Sequence, residues 1–163
     1  MEKVQIAFSI GRMPQDLVIQ QWPACPGPFS HVQLLRNNEI VDSYPGIGVT
    51  VHTDFHGHYY GIVLCDIHAD PEALDRMFAD VKTQDGKKYD WRGIGGVVLN
   101  KNLQDPDDWF CSELDSFYLN KYGILPCDPA LPPSLVVPNK LFQQGIHRGI
   151  FSVTGFIAGD MKL

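Results

Sequence analysis

The segment DDWFCSELDS at residues 107–116 places a cysteine where a helix begins. In the first turn of a helix, unpaired N–H groups and the macrodipole favour an anion, so a thiol there can act as a nucleophile. The alternative is a half-buried thiol that only packs in the core. Nearby acids oppose a thiolate, so activating Cys111 requires an imidazolium beside it. These acids are Asp107, Asp108, Glu113 and Asp115.

A histidine and an acid that could complete such a site lie on a predicted β-hairpin. The strands HVQLL and EIVDSY flank Asn37-Asn38, a pair typical of a two-residue turn. With the turn there, His31 falls roughly opposite Asp42 or Ser43. A carboxylate in that place holds an imidazole in the tautomer that a general base needs. The alternative is an ordinary strand-end histidine with satisfied hydrogen bonds.

Five segments together resemble a known family. FSHVQLL, VDSYPGIGV, KYDW, WFCSEL and VVPNKLF are similar to segments of the YiiX-like proteins, which are permuted relatives of the NlpC-type cysteine peptidases. The resemblance spans about residues 4–142. In the ordinary order the cysteine helix precedes the histidine strand, whereas here His31 precedes Cys111. The resemblance therefore implies a papain-like fold in circularly permuted order.

The resemblance also implies roles for individual residues. Cys111 would be the nucleophile, His31 the general base and Asp42 the acid that orients it, although the family more often has Glu followed by Ala where this chain has Asp42-Ser43. Tyr89, in KYDW, would stand near the oxyanion, and a packed aromatic with a hydrogen-bonded hydroxyl is the alternative.

The activity implied is that of a cysteine hydrolase or acyltransferase acting on an amide or ester through a thioester. The expected substrate is a peptide, such as a cell-wall peptide, with an acyl-bearing lipid as the second choice. No cofactor is expected. A catalytically silent binding module with the same fold is the alternative from a different functional class.

The elements that must position these residues follow from periodicity. Apolar residues alternate in VQIAFSI, and further strands are predicted at GVTVHTD, YYGIVLCDI and GIFSVTGFIA. Asp70 precedes a helix with a buried stripe at Leu74, Met77, Phe78 and Val81. A second helix is predicted from about Asp107 or Asp108 to Tyr122, before Gly123. The class is α+β, a mostly antiparallel sheet with a few helices in a single domain over residues 1–163.

Composition restricts the surroundings and partners of the chain. The net charge of −6, without a Lys/Arg cluster, argues against nucleic acid and anionic membranes as partners. No apolar run reaches the roughly 18 residues that span a bilayer, and the N-terminal segment lacks an export pattern. The four cysteines form no CxxC pair, which predicts free thiols in a reducing, cytoplasmic setting.

Two other segments contain residues that occur in functional motifs. His52, Asp54, His56 and His58 alternate like the ligands of an open zinc site, but Gly57 indicates a turn, and we interpret the segment as a polar loop without metal. GIGG at 93–96 lacks the Lys-Ser/Thr of a phosphate-binding loop, and we interpret it as a turn or a packing device.

Overall fold

The computed structural model describes residues 3–21, 23, 25–55, 59–99, 101, 103, 105, 107–128 and 131–159. The strands in these ranges are β1 (Gln5–Gly11), β2 (His31–Arg36), β3 (Glu39–Tyr44), β4 (Gly48–His52), β5 (Tyr59–Ile67) and β6 (Phe151–Ala158). The α-helices are α1 (Pro14–Gln20), α2 (Pro71–Val81), α3 (Trp91–Leu99), α4 (Cys111–Lys121) and α5 (Pro138–His147). All strand pairs are antiparallel, in the order β4-β3-β2-β1-β5-β6, which confirms the α+β class.

The predicted hairpin is present as β2 and β3. Asn37 and Asn38 both have positive φ, 53° and 65°, as a type I′ turn requires. Arg36 pairs with Glu39, and Leu34 pairs with Val41. The turn therefore fixes the register of the two strands that carry the candidate histidine and acid.

The main core lies between the sheet and the helices. Ile6 and Phe8 on β1, at the middle of the sheet, are fully buried and pack in one cluster with residues of α2 and α4. The predicted stripe on α2 is buried, and Asp70 caps that helix by accepting a hydrogen bond from Ala73 N at 2.9 Å. The α4 helix packs on β2 and β3, so the sheet directly supports the helix that carries the candidate nucleophile.

The α4 helix begins at Cys111, later than predicted. Trp109 forms a bridge with Tyr89, which keeps the chain extended immediately before the helix. Glu113 then accepts a hydrogen bond from Phe110 N at 3.3 Å and caps the first turn. The other end agrees with the prediction, because the helix stops before Gly123, whose φ of +68° suits a glycine cap.

The GIGG segment lies inside α3 and is not a turn. The packing interpretation holds for two of its glycines. A Cβ on Gly93 would lie 2.5 Å from Asp90 Oδ2, and a Cβ on Gly96 would lie 2.5 Å from the carbonyl oxygen of Lys101. Both glycines therefore allow a close approach that any larger residue would block.

All four cysteines are free thiols; Cys25, Cys65 and Cys111 are buried and Cys127 is half-buried. Among the helices in the described ranges, none has both the length and the apolar character to cross a membrane.

Candidate active site

His31 and Asp42 form a buried ion pair between neighbouring strands. Continuing the register of β2 and β3 places His31 opposite Tyr44, and Asp42 then lies diagonally across on the same face. The Nε2 atom of His31 is 2.7 Å from Oδ1 of Asp42, with side-chain exposures of 6% and 0%. Ser43, the other residue considered from the sequence, donates its hydroxyl hydrogen bond to the Trp109 carbonyl at 2.5 Å. Of the two, only Asp42 contacts the histidine.

The two residues before His31 are fixed by hydrogen bonds. Asn139 of α5 accepts a hydrogen bond from Phe29 N and donates one to Phe29 O, both at 2.9 Å. Ser30 accepts a hydrogen bond from Gly11 N at 3.0 Å through its hydroxyl. The hydroxyl of the residue before the histidine therefore has a role, because it bonds the end of β1. These contacts fix the point at which β2 begins.

The electrostatics of the pair favour its charged form. Burial alone would lower the pKa of His31, but the charges of Asp42, Tyr59 and Cys111 and the close contact with Asp42 raise it well above its ordinary value. For Asp42, burial acts to raise the pKa, and the charge and close contact of His31 outweigh it and lower the pKa. The imidazolium and the carboxylate thus stabilise each other in a dry environment.

Cys111 is the first residue of α4 and is 2% exposed. The α4 helix packs on β2, the strand that begins with His31. Although both residues are in the described part of the chain, no hydrogen bond joins the thiol to the ring. Because Asp42 takes Nε2, Nδ1 is the ring nitrogen left for a thiol proton. The first-turn N–H groups of the helix have no partner within it.

The two buried acids of α4 favour their neutral forms. Burial raises the pKa of Glu113 to about 8, against the hydrogen bond from Phe110 N, with a further increase from Asp90. Burial and then the charge of Asp42 raise the pKa of Asp115 well above its ordinary value, while His31 lowers it. With a pKa of about 8, Glu113 opposes a thiolate at Cys111 little at neutral pH, and the raised pKa of Asp115 acts in the same direction. For Asp107 and Asp108 the expected opposition stays a prediction.

Tyr89 is tied to the segment that precedes Cys111. The Trp109 N–H donates to Lys88 O, and the Asp90 N–H donates to Trp109 O, both at 3.1 Å. Tyr89 is 7% exposed. Burial, followed by the charge of Cys111, raises the pKa of its hydroxyl well above the ordinary value. The hydroxyl therefore stays protonated as a hydrogen-bond donor near the thiol.

Three further residues surround the pair and were not found from the sequence. Tyr59 stacks on the His31 ring at 6.1 Å and 11°, and Tyr44 meets it edge-on at 5.6 Å and 81°. His52 places Nε2 3.8 Å from Oδ2 of Asp42. The period of two along β3 already puts Tyr44 on the face of Asp42, but the contacts of His52 and Tyr59 come from other strands.

Two cavities meet near the thiol and the imidazole. The larger, about 220 Å³, is lined by His31 and mainly by apolar and aromatic side chains, among them Tyr44, Tyr59, Tyr89 and Trp91. The smaller, about 20 Å³, is lined by Cys111, Phe110, Val97 and Val137. The residues shared by both linings are Val18, Ile19 and Ile94.

Only part of the alternative metal site, His52 and Asp54, lies within the described residues. His56 and His58 lie outside the described residues, and His52 Nδ1 contacts the carbonyl oxygen of Asp54 at 2.5 Å. Within the described ranges, no cluster of three or more histidine, cysteine or carboxylate side chains could hold a metal ion.

Comparison with known proteins does not assign the chain to a family. No protein-family model matches the chain, and no curated protein matches its sequence.

Proposed function

We propose that this protein is a cysteine hydrolase or acyltransferase that forms a thioester on Cys111 from an amide or ester, most simply a cysteine peptidase or amidase. The observation that carries the proposal is the buried His31–Asp42 pair, at 2.7 Å, on two strands against which α4, the helix that begins with Cys111, packs. A histidine oriented by a carboxylate through one nitrogen leaves the other to exchange a proton with the nucleophile.

The proposed reaction has two halves. His31 takes the thiol proton and thereby becomes the imidazolium that Asp42 stabilises, and the thiolate sulfur attacks the carbonyl carbon to form a tetrahedral oxyanion. First-turn N–H groups of α4 and the Tyr89 hydroxyl are the candidate donors to that oxyanion. The C–N or C–O bond then breaks, and His31 gives its proton to the leaving group. Water, or an acceptor amine or alcohol, attacks the thioester and returns the thiol.

We also propose that the fold is papain-like in permuted order. The order of the elements supports this, because β2 with His31 comes early and α4 with Cys111 follows and packs on the same sheet. The first candidate substrate is then a peptide amide, as in cell-wall peptides. These proposals stand on the site geometry and on the resemblance of the motifs.

The test is acylation by an activated ester followed by intact-mass and peptide analysis. With p-nitrophenyl acetate, the wild-type protein should gain one acetyl group, located on Cys111. Cys111→Ala should gain none at that peptide, His31→Asn should acylate much more slowly, and Cys127→Ala should behave like wild type. If His31→Asn acylates at the wild-type rate, His31 is not the base. If Cys111 is never acylated, the protein is a binding module rather than an enzyme of this class.

A further inference from the structure

We infer that the substrate carries a large apolar leaving group, bound in the cavity beside His31, and a short acyl group, bound in the narrow cavity beside Cys111. The inference rests on the proposed function, because it assigns the two sides of the bond that Cys111 would break. It concerns the direction in which the substrate lies across the site, and it narrows the proposed substrates, because a peptide amide with a whole residue on its acyl side does not fit the narrow cavity.

The assignment follows from which residue lines which cavity. His31 lines the larger cavity and is not part of the lining of the smaller one, while Cys111 lines only the smaller one. In acyl transfer to a thiol, the carbonyl carbon must lie at the sulfur. The leaving atom must lie where the imidazolium can protonate it. The leaving group therefore extends into the cavity of His31, and the acyl group remains on the side of Cys111.

The two volumes set the sizes. The larger cavity, about 220 Å³, exceeds an engineered apolar cavity of about 150 Å³ that binds benzene. The smaller cavity, about 20 Å³, is little more than the roughly 10–15 Å³ that one water molecule needs by the same kind of measure. A six-carbon chain or an aromatic ring fits the first. Only a group of the size of formyl or acetyl fits the second.

The chemistry of the larger lining selects an uncharged apolar group. Among the described lining residues there is no lysine or arginine, and Asp16 is the carboxylate. Its Oδ2 accepts a hydrogen bond from Met13 N at 2.8 Å, so that atom has a partner within the protein. Trp91, 61% exposed, stands edge-on to Tyr89 at 4.9 Å on this lining. Apart from the His31 imidazolium, whose charge Asp42 offsets at 2.7 Å, the described lining offers no cation to an anionic leaving group, whereas an alkyl or aryl group gains contact with the rings.

Two isomeric esters test the assignment. Hexyl acetate and methyl heptanoate have the same composition and put the long chain on opposite sides of the ester. With wild-type protein, kcat/KM should be at least ~10-fold higher for hexyl acetate than for methyl acetate, since buried methylenes add binding in the transition state. Methyl heptanoate should be no better than methyl acetate.

Two variants make the test specific to each cavity. Trp91→Ala should reduce the ratio of hexyl acetate to methyl acetate turnover, because a wall of the larger cavity is lost. Val97→Ala should widen the narrow cavity and raise the rate with methyl heptanoate relative to methyl acetate. Equal rates for the two isomers, or a preference for methyl heptanoate, would overturn the assignment of the two cavities. The proposed function would still stand in that case, provided that turnover depends on Cys111. Turnover that survives Cys111→Ala would overturn both.

Discussion

Replacing Asp42 by asparagine tests the electrostatic core of the site. The amide keeps the size of the side chain and one oxygen, but it removes the negative charge that lies 2.7 Å from His31 Nε2. Burial, which lowers the pKa of His31, is then opposed only by Cys111 in its thiolate form, because Tyr59 is neutral near pH 7. We therefore expect the pKa of His31 to fall below its ordinary value, and the imidazolium to be largely lost at pH 6.

The same change should lower stability over a defined pH range. His31 has a raised pKa in the folded state, so its contribution is complete below the unfolded value of 6.5 and is lost as pH rises through the folded-state pKa. Asp42 has a lowered pKa, so its contribution is present above the unfolded value of 3.8 and is lost as pH falls through the folded-state pKa. The destabilisation should therefore be largest between about pH 4 and 6.5, roughly 3 kcal/mol for breaking a buried pair.

Two measurements test the expected effect of Asp42→Asn on His31 and Cys111. Titration of the His31 ring by NMR gives the pKa directly, and alkylation of Cys111 by iodoacetamide at pH 6 should slow by at least ~10-fold. His52→Gln is the matched control, since it removes the outer partner of Asp42, at 3.8 Å, and leaves His31 in place. If Asp42→Asn leaves both the titration of His31 and the alkylation rate unchanged, the carboxylate does not control the histidine and the reasoning is refuted.

Three other substitutions separate chemistry from architecture. Cys111→Ala should abolish acyl-enzyme formation and cost only about 1 kcal/mol in the free energy of unfolding; collapse of the fold would assign the thiol to packing. Tyr89→Phe should lower the acylation rate by about 10² if its hydroxyl binds the oxyanion, and an unchanged rate at unchanged Tm would remove it from the site. Wild-type stability should fall as pH rises from about 4.5 to about 8, because folded Glu113 keeps a proton that the unfolded chain has lost. Glu113→Gln should reduce this pH dependence of the free energy of unfolding, measured by urea unfolding at each pH, and should leave the part that comes from Asp115. An unchanged pH dependence would contradict the burial argument.

Local patterns in the sequence were sufficient for the hairpin. Asn37-Asn38 specified a two-residue turn, and the turn brought Asp42 to the face of His31, although the residue directly opposite is Tyr44. With Asn37-Asn38 as the turn, Arg36 pairs with Glu39, and counting back from that pair puts His31 opposite Tyr44, two residues beyond Asp42. Because a diagonal neighbour on the same face is still within reach of a ring, the predicted contact forms in spite of it.

Features that depend on distant contacts could not be predicted. The start of α4 was placed too early, near Asp107 or Asp108, because the local sequence does not show that Trp109 pairs with Tyr89 and is held extended. The raised pKa values of Glu113 and Asp115 could not be predicted for the same reason, since only the fold reveals that both are buried. His52 was noticed for its spacing and not for its contact with Asp42.

The most direct test of the central claim is site-resolved alkylation of the native protein. Cys127 is half-buried, and burial raises the pKa of its thiol, while Cys111 is only 2% exposed. Exposure alone therefore predicts that Cys127 reacts first. If His31 activates Cys111, mass spectrometry of peptides after brief treatment with iodoacetamide at pH 6 should show Cys111 modified fastest, with the preference lost in His31→Asn. Faster modification of Cys127 in the wild-type protein, or a preference for Cys111 that persists without His31, would contradict the account.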